Sequence, residues 1–515
     1  MVVGDIIRRT AYRFPEKVGF VHEGREYTWS EVNERVNRLA NGLASLGLEK
    51  GDRIAVLARS SNVYMELYCA AAKAGFVFVP VNTWLKAREV RSIVADSRPR
   101  ALVVDVPYEG IVAELDCSEI EFAIGLGDGH RCEHDLVGIM HASPATEPVT
   151  AISESDLYAL AYTSGTTGMP KGVMITHRTT CAAVVNHVVA MSLRPHHVFM
   201  IHAPMFFLAS GANRFNAILA GCRCIITTSD VAGMLEVISR EKVTHFTVSP
   251  TVAQRLLAHP GTASADLRSI EFIGGTGAPF SPALVKSIVN SLGPVWHNIY
   301  GASETNLCTC LFKEDYIAEG SDKLLASVGR PGAFCDFRIV DEDGNAVAAD
   351  GRQTGEIIVR GDAITPGYWN DPSYGQETIR EGWFYTGDLA TRDSDGFVYV
   401  VGRRKDMIIS GGVNIYPSEI EELIMTHPAV AECAVIGVPS AEWGETPKAI
   451  VMLKPGCALE AEELIAFCRD NLAPFKKPSA VAFVSEFPRT ATGKIRKGEL
   501  RELSSDSPTE SPASG

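Results

Sequence analysis

The sequence feature that most constrains the fold is a regular alternation of short apolar runs with amphipathic helical patterns, between about residues 26 and 330. The first clear helical pattern follows Thr28 and Glu31, which have the spacing of a capping box, and Gly47 ends it. Strands that alternate with helices are usually parallel, because each helix carries the chain back along the sheet. We therefore predict parallel sheets covered by helices, with strands in the runs DRIAVLA, GFVFVPV, RALVVD, CRCIITT, VTHFTVS and IEFIGG.

Turn residues become frequent after residue 330, where the apolar runs are shorter. Asp-Gly pairs at 343 and 395 predict tight hairpin turns, so we expect a compact antiparallel subdomain there. In the segment 402–412, four charged residues precede an apolar triplet and two glycines, and a new α+β pattern begins beyond it. This change of pattern predicts a domain boundary near Lys405.

The length also predicts more than one domain, since 515 residues exceed what one hydrophobic core usually organises. Residues 504–515 are too polar to pack and are expected to be a disordered tail. The predicted domains are residues 1–404 and residues 405–503.

Composition excludes several classes of protein. With 46% hydrophobic and 21% charged residues, the chain resembles soluble globular proteins rather than disordered ones. A formal net charge of −14 argues against a general affinity for nucleic acid. The longest uncharged run, 195–213, contains two prolines and three histidines, so membrane insertion is not expected.

The twelve cysteines show no C-x-x-C spacing, which favours a reducing compartment over a disulfide scaffold. The N-terminus carries charged residues where a signal peptide needs its apolar segment, so we expect a cytoplasmic protein. Two C-x-C pairs, Cys222/Cys224 and Cys308/Cys310, alternate within apolar stretches. We interpret them as buried strand residues rather than metal ligands.

A loop rich in glycine and hydroxyl residues, YTSGTTGMPKGVMITH at 162–177, lies between two apolar runs. Its glycines let the backbone approach a ligand closely, its hydroxyl groups can donate hydrogen bonds, and Lys171 adds a positive charge. This combination suits a polyphosphate. It is not a Walker A loop, because Met169 and Pro170 separate the second glycine from the lysine. The residues concerned are Thr163, Ser164, Gly165, Thr166, Thr167, Gly168 and Gly172.

This loop resembles the signature of the adenylate-forming superfamily, which includes acyl-CoA synthetases, aryl-CoA ligases, luciferases and peptide-synthetase adenylation domains. Four further motifs follow in the order of that family, and the similarity runs from about residue 5 to residue 500. These motifs are YGASE (300–304), YTGD (385–388), GRRKDMIISGG (402–412) and PRTATGK (488–494).

The resemblance implies an α/β fold: a large N-terminal domain of two helix-flanked β-sheets plus a small antiparallel β-barrel, and a mobile C-terminal α+β domain. It also implies a reaction in two steps. A carboxylic acid and MgATP give an acyl-adenylate and pyrophosphate, and the CoA thiol then displaces AMP. The active site should lie between the domains, where ligands commonly bind. The C-terminal domain would rotate about a hinge that matches Lys405. The resemblance also suggests a homodimer.

The resemblance also implies roles in the first step. Lys171 and the glycine loop would hold the β- and γ-phosphates, and Glu304 would ligate Mg²⁺. Asp388, assisted by Arg403, would accept the ribose hydroxyls. Lys494 would place its ammonium between the attacking carboxylate and the α-phosphate, where negative charge develops. The other implied nucleotide-binding residues are Gly275, Thr276, Gly301, Ser303 and Tyr300, with Tyr300 stacking on adenine.

For the second step, Gly411 and Gly412 would let the pantetheine arm pass alongside the backbone. Three further residues match positions where some relatives hold the CoA nucleotide, which needs an aromatic surface and a cation. They are Trp443, Phe475 and Lys477.

The acyl pocket is expected to be apolar. Phe207 stands where many relatives carry a histidine, and no cation is evident for a second carboxylate. Walls of this kind suit a hydrophobic acid: a medium- or long-chain, aryl or polycyclic one. The acyl group is expected to pass to CoA, with a carrier protein as the alternative acceptor. His177 and His297 are interpreted as structural histidines rather than catalysts. The predicted pocket residues are Phe207, Ser210, Gly211, Gly275, Gly301 and Ala302.

Overall fold

The computed structural model describes residues 1–115, 120–163, 170–207, 212–227, 230–319, 322–440, 442–489 and 495–505. Within these ranges the helices are α1 (Gly4–Arg13), α2 (Trp29–Ser45), α3 (Asn62–Ala74), α4 (Ala87–Ser97), α5 (Glu109–Val112), α6 (Leu136–Ala142), α7 (His177–Ala190), α8 (Ala212–Ala220), α9 (Val231–Glu241), α10 (Pro250–Ala258), α11 (Pro282–Leu292), α12 (Lys313–Glu319), α13 (Pro372–Thr378), α14 (Pro417–Met425), α15 (Ala461–Asn471) and α16 (Lys497–Ser505).

The strands in the same ranges are β1 (Val18–His22), β2 (Arg25–Thr28), β3 (Arg53–Leu57), β4 (Val77–Pro80), β5 (Ala101–Asp105), β6 (Phe122–Leu126), β7 (His134–Asp135), β8 (Leu157–Thr163), β9 (Lys171–Thr176), β10 (Val198–Ile201), β11 (Arg223–Ile226), β12 (His245–Val248), β13 (Phe272–Gly275), β14 (Trp296–Ala302), β15 (Asn306–Leu311), β16 (Arg330–Pro331), β17 (Asp336–Val340), β18 (Gly355–Arg360), β19 (Ile379–Arg380), β20 (Trp383–Arg392), β21 (Val398–Arg403), β22 (Ile408–Ser410), β23 (Val413–Ile415), β24 (Val430–Ser440), β25 (Gly444–Leu453) and β26 (Ala480–Phe483).

The described chain packs as two compact units. The first comprises Met1–Phe337 and Val359–Phe384, and the second comprises Arg338–Ile358 and Tyr385–Gly515. This division reports how the chain packs and does not test a movement, so the hinge at Lys405 and the predicted domain ranges stay predictions. Lys405 itself lies in a single 3-10 turn, Arg404–Asp406, between β21 and β22.

The first unit contains two sheets, as the resemblance implied, with the parallel pairing that the alternation predicted. One has the strand order β7-β6-β5-β3-β4-β8-β9, and the other has the order β16-β15-β14-β13-β12-β10-β11-β1-β2. Their central strands pair in parallel, and antiparallel pairs such as β8–β9 and β14–β15 occur toward the edges. All six predicted strand runs are confirmed as β3, β4, β5, β11, β12 and β13.

A shared hydrophobic core joins the two sheets through helices. It includes Phe20 from one sheet and Ile54 from the other, with Leu39 of α2 and Phe215 of α8 among the helical side chains. Burial of this much apolar surface is the main stabilising contribution to such a fold. The capping box at the start of α2 is confirmed, since the Thr28 amide donates to the Glu31 carboxylate at 2.7 Å and the Glu31 amide donates to Thr28 Oγ1 at 3.2 Å.

The antiparallel piece expected after residue 330 is a five-stranded half-barrel sheet with the order β17-β18-β20-β19, in which β21 also pairs with β20. Both Asp-Gly pairs lie in turns: the amide of Gly344 donates to the carbonyl of Asp341, and that of Gly396 to the carbonyl of Asp393. The two hairpins predicted from sequence are thus confirmed.

The second unit contains the α+β pattern that begins beyond 402–412. Its sheet has the order β23-β22-β25-β24, and β26 pairs in parallel with β25. Ile420 of α14 and Leu464 of α15 pack with Val435 and Val451 of the sheet. The cysteines of the first unit's C-x-C pairs are buried on or beside strands β11 and β15, as predicted. Within the described ranges, no helix combines the length and the apolar character needed to cross a bilayer.

Candidate active site

The glycine loop connects two antiparallel strands of the seven-stranded sheet. Thr163 ends β8 and Lys171 begins β9, and these two residues are paired across the hairpin. Both ends of the loop are thereby fixed by a ladder of backbone hydrogen bonds. The residues between them, Ser164, Gly165, Thr166, Thr167 and Gly168, lie outside the described residues, so their contacts with phosphate stay predictions.

The Lys171 ammonium is held by two partners. Its Nζ lies 2.8 Å from Asp371 Oδ2 and 3.3 Å from the centre of the Tyr374 ring. Asp371 is the N-cap of α13, since its Oδ1 accepts the amide of Tyr374 at 3.1 Å. The hydrogen bond from Lys171 is the largest cause of a lowered pKa at Asp371, so this carboxylate stays charged.

Glu304 has a fixed orientation. The Tyr368 hydroxyl donates to Glu304 Oε1 at 3.1 Å, and the Glu304 carbonyl accepts the amide of Thr365 at 2.7 Å. Burial, followed by the charge of Glu304, raises the pKa of Tyr368, so the phenol keeps the proton that it donates. The rings of Tyr368 and Tyr374 meet edge to face at 4.8 Å between centroids.

A segment that the sequence motifs did not single out, residues 365–371, connects these groups. The amide of Met174 donates to the carbonyl of Gly367 at 3.0 Å, and the amide of Trp369 donates to the carbonyl of Gly172 at 2.8 Å. The segment therefore runs along β9, covering this edge of the sheet, and leads into α13. In this way the structure links Lys171 and Glu304, which are far apart in sequence.

Five of the predicted nucleotide-binding residues lie on or directly after two neighbouring strands, β13 and β14. Gly275 ends β13 and pairs with Asn298 of β14, the strand that continues into Tyr300 and Gly301. A β-carbon at Gly301 would lie 1.7 Å from the carbonyl oxygen of Asn306, so only glycine fits there. A β-carbon at Gly275 would lie 2.1 Å from the Trp296 ring. Close packing thus explains both glycines, with Ser303 and half-buried Thr276 in the turns that follow β14 and β13.

The predicted acyl wall begins with a cluster of aromatic rings. Phe207 is half-buried, and its ring lies 4.5 Å from that of Phe206 and 5.6 Å from that of Trp84. Trp84 is 55% exposed, so it offers a large aromatic surface beside the other two rings. Half-buried Ala302 lies at the end of β14. Ser210 and Gly211 lie outside the described residues.

In the second unit, Asp388 and Arg403 face each other on paired strands. Arg403 Nε lies 2.6 Å from Asp388 Oδ1, and the two residues are register partners of β20 and β21. Asp388 is buried while Arg403 is exposed. The neighbouring Arg404 pairs with Glu356 at 2.8 Å, so two consecutive arginines each meet a carboxylate. A buried carboxylate beside a guanidinium suits recognition of hydroxyl donors.

The residues predicted for CoA are solvent-accessible. Gly411 and Gly412 are exposed and have φ of +56° and +80°, a conformation that favours glycine. The Trp443 ring covers Gly411, where an added β-carbon would lie 2.8 Å from Trp443 Cε3. Trp443 is nevertheless 52% exposed and Phe475 is 45% exposed, and Lys477 is half-buried. Trp443 is therefore not an ordinary core residue.

The histidines interpreted as structural are buried. His177 Nδ1 accepts the amide of Val3 at 3.1 Å, and burial lowers the pKa of His177 to about 4. His297 stacks on Phe272 at 4.1 Å between ring centroids, and burial lowers its pKa to about 3. Both imidazoles are neutral at physiological pH.

Glu304 is suited to ligate a Mg²⁺ ion that is already bound to the phosphates of the substrate. Among the residues whose positions are described, no three His, Cys, Asp or Glu side chains form a ready-made metal site. Mg²⁺ keeps several waters and is usually held by one or two carboxylates together with substrate phosphates. A single oriented carboxylate meets that requirement. Lys494 lies outside the described residues, so its role stays a prediction.

Asp371, Tyr374, Tyr368 and Thr365 were missed by sequence reasoning. The available signal was the run GYWNDPSY at 367–374, in which Asp371 precedes a proline at a helix start. That pattern identifies an N-cap, but it does not show that the same carboxylate also binds a lysine two hundred positions earlier.

Comparisons with known proteins identify the family of the chain. The AMP-binding enzyme family matches residues 7–369, and the AMP-binding enzyme C-terminal domain matches residues 419–494. The chain is 37% identical to a feruloyl-CoA synthase from Amycolatopsis sp, over 96% of this chain and 97% of that protein. It is 31% identical to a long-chain-fatty-acid–CoA ligase from Mycobacterium tuberculosis, over 97% and 98% of the two chains.

The fold is shared with solved structures. The ATP-bound structure of MatB from Rhodopseudomonas palustris has a TM-score of 0.89 and 28% sequence identity, and the match covers 98% of this chain and 99% of that one. The sequence motifs, the two sheets with their half-barrel, and the family matches all agree. The chain belongs to the AMP-binding enzyme family of the adenylate-forming superfamily and is an AMP-forming ligase of the acyl-CoA synthetase type.

Proposed function

We propose that this enzyme activates a hydrophobic carboxylic acid with MgATP and transfers the acyl group to CoA. The observation that carries the proposal is the connected set Lys171, Tyr374, Tyr368 and Glu304, in which a lysine beside the glycine loop and a carboxylate suited to Mg²⁺ are held in fixed orientation. A cation and a Mg²⁺ ligand supported by a common segment suit a Mg²⁺-bound polyphosphate such as ATP.

In the first step a carboxylate oxygen of the acid forms a bond to the α-phosphorus of ATP, and the bond from that phosphorus to the bridging oxygen breaks. Pyrophosphate leaves with the electron pair. Lys171 and Glu304, through Mg²⁺, would hold the leaving phosphates, while Asp388 and Arg403 would hold the ribose. Lys494 would offset the charge that develops on the α-phosphate oxygens.

In the second step the CoA sulfur forms a bond to the acyl carbonyl carbon and AMP leaves. Exposed Trp443 and Phe475 support this assignment, because an aromatic side chain with half its surface accessible can stack on adenine. Gly411 and Gly412, which lack side chains, leave room for the pantetheine arm. Lys477 would pair with a CoA phosphate.

The acid is proposed to be apolar, and an aryl acid is favoured over a fatty one. The three rings of Trp84, Phe206 and Phe207 form an edge-to-face cluster beside the predicted acyl wall, and such clusters accept a further ring readily. A feruloyl-CoA synthase among the relatives supports the same choice. A medium- or long-chain or polycyclic acid is the second candidate, supported by the fatty-acid ligase relative.

A panel of acids tests the proposal. Purified enzyme is given ATP, Mg²⁺ and hydroxycinnamic, benzoic, medium- and long-chain fatty or polycyclic acids, and both AMP and thioester are measured by mass spectrometry. The proposal predicts AMP and acyl-CoA in equal amounts, with the hydroxycinnamic acids fastest. If AMP is released but no acyl-CoA forms, and a phosphopantetheinyl carrier protein becomes acylated instead, the acceptor is a carrier protein rather than CoA. No AMP with any acid would refute the proposed activity.

A further inference from the structure

Residues 365–374 comprise the segment that runs along β9 and the start of α13, and they make polar contacts at both ends. Thr365 is buried, and its hydroxyl lies 2.7 Å from the carbonyl oxygen of Met174 and 2.8 Å from that of Gly367, so these two acceptors share its single proton. Its amide is also the group that bonds the Glu304 carbonyl. The segment is thus tied at one end to β9 and to the Glu304 backbone, and at the other end to Lys171 through Asp371.

The contacts of Lys171 within the described residues occupy two of the three N–H groups of its ammonium. An ammonium has three N–H groups, of which one meets Asp371 Oδ2 and another points toward the face of Tyr374. The Lys171 side chain is 18% exposed, so its direction is restricted by the protein around it. Within the described part of the chain the third N–H has no acceptor, so it is available to an anion. A restricted lysine loses less conformational entropy on binding phosphate than a freely rotating one.

Glu304 is held in the corresponding way. Tyr368 donates to Oε1, and Oε2 makes no hydrogen bond within the described part of the chain, so it is available to a metal ion. Because Tyr368 packs against Tyr374, the same pair of rings separates the ammonium of Lys171 from the carboxylate of Glu304. Two aromatic side chains of this kind form a rigid spacer, since each has only two rotatable bonds.

We propose that Asp371, Tyr374 and Tyr368 are positioning residues that set the Lys171 ammonium and the Glu304 carboxylate at the separation required by a Mg²⁺-bound triphosphate. None of the three touches the reacting atoms; each acts through Lys171 or Glu304. This inference rests on the proposed function. An opposite role for Asp371, as a competitor that phosphate must displace from Lys171, is the outcome that the test must distinguish.

The test measures binding rather than turnover. The probe is α,β-methylene-ATP, which cannot be cleaved at the bond that breaks in the reaction, with Mg²⁺ titrated by calorimetry against the full-length enzyme. Tyr368→Phe keeps the ring pair but removes the hydroxyl that orients Glu304. The lost bond is one to a charged group, which is stronger than a neutral one, so the Mg²⁺ midpoint should rise about ten-fold. The matched control is Tyr316→Phe, which removes a hydroxyl bonded to the Trp296 carbonyl and should leave the midpoint unchanged.

Asp371 and Tyr374 are tested with the same probe at saturating Mg²⁺. Asp371→Asn should raise the dissociation constant of the probe about ten-fold, because Lys171 loses its charged partner. Tyr374→Leu should raise it several-fold, and Tyr374→Phe, which restores the aromatic face, should return it to within about two-fold of the parent. Melting temperatures are recorded for every variant.

Three results would overturn the inference. Tighter probe binding by Asp371→Asn would show that Asp371 competes with phosphate. An unchanged Mg²⁺ midpoint in Tyr368→Phe would show that Glu304 does not depend on it. A lower melting temperature with parent-like binding in all variants would show a packing role alone. These results presuppose that the parent binds the probe and releases AMP with some acid, so failure of the proposed function is seen separately, in the parent enzyme.

Discussion

The predicted phosphate site of the first unit and the predicted CoA surface of the second are built differently. Lys171 and Glu304 are contacted by side chains that fix them before any ligand is present. Trp443 and Phe475, by contrast, leave about half of their surface exposed. The first arrangement suits transition-state stabilisation, which depends on preorganised charge. The second suits a partner that binds for one step and leaves, and the following changes test this contrast.

The largest effect is expected at Lys494. Lys494→Ala removes the charge that the first step requires, so AMP formation from acid and ATP should fall by at least about 10²–10³-fold. Thioester formation from a preformed acyl-adenylate and CoA should continue at the parent rate. Both half-reactions are followed by chromatography of AMP and thioester. Equal loss in the two half-reactions would show that Lys494 is needed for the fold or for both steps.

A large effect is also expected in the first unit at Gly301. A β-carbon there would lie 1.7 Å from the Asn306 carbonyl oxygen, which is backbone and cannot rotate away. Gly301→Ala should therefore displace the strand that carries Tyr300 and reduce AMP formation by more than about ten-fold. Gly110→Ala is the comparison for glycine replacement, because no atom lies within 4 Å of its added β-carbon and its φ is not in the left-handed region. Parent-like rates in Gly301→Ala would contradict the close packing described above.

A smaller and more selective effect is expected at Trp443. Since this ring is 52% exposed, Trp443→Ala should change the melting temperature little. Loss of stacking on adenine, at about 1 kcal/mol, should raise the KM for CoA several-fold. The rate of acyl-adenylate formation in the absence of CoA should not change. A changed rate of acyl-adenylate formation in Trp443→Ala would show that Trp443 does not act on CoA binding alone.

The smallest effect is a difference in acid sensitivity. Twelve of the thirteen histidines lie in the first unit, and only His427 lies in the second. Burial lowers the pKa of His245 and His297 to about 3 and that of His187 to about 4. A histidine with a lowered pKa contributes its full stability above the unfolded pKa of about 6.5, and this stability is lost as the pH falls toward the folded value.

Between pH 7 and pH 5 each such histidine should destabilise the folded state by about 1–2 kcal/mol. Hydrogen exchange followed by mass spectrometry should show that strands β12 and β14 lose protection by pH 5. The second unit should lose protection only at a lower pH. His297→Phe keeps the stack on Phe272 and should reduce the pH dependence. A uniform loss of protection across both units would argue against buried histidines as the cause.

Much of the fold could be predicted from sequence because its signals are local. Apolar runs between helical patterns gave β3, β4 and β5, and Thr28 with Glu31 gave the start of α2, since capping depends on residues three positions apart. The motif residues Asp388 and Arg403 were also identified, and the structure pairs them on adjacent strands. Signals of this kind do not require knowledge of the tertiary structure.

What could not be predicted depends on contacts between distant positions. Asp371 reads as a helix cap in sequence, and its bond to Lys171 depends on how the segment 365–371 runs along β9. The exposure of Trp443 was likewise undecided, because a tryptophan in a turn can be buried or accessible. Sequence motifs identify the groups that meet the ligand, whereas the side chains that support them are identified only once the chain is folded.

The shared role of Asp371 has a consequence for protein engineering. Its carboxylate caps α13 and also pairs with Lys171, so the start of a helix and the lysine beside the glycine loop depend on one side chain. A chimera that imports the loop 162–177 from a relative would place the imported lysine beside residues 365–374 of a different protein. The loop 162–177 and residues 365–374 should therefore be exchanged together.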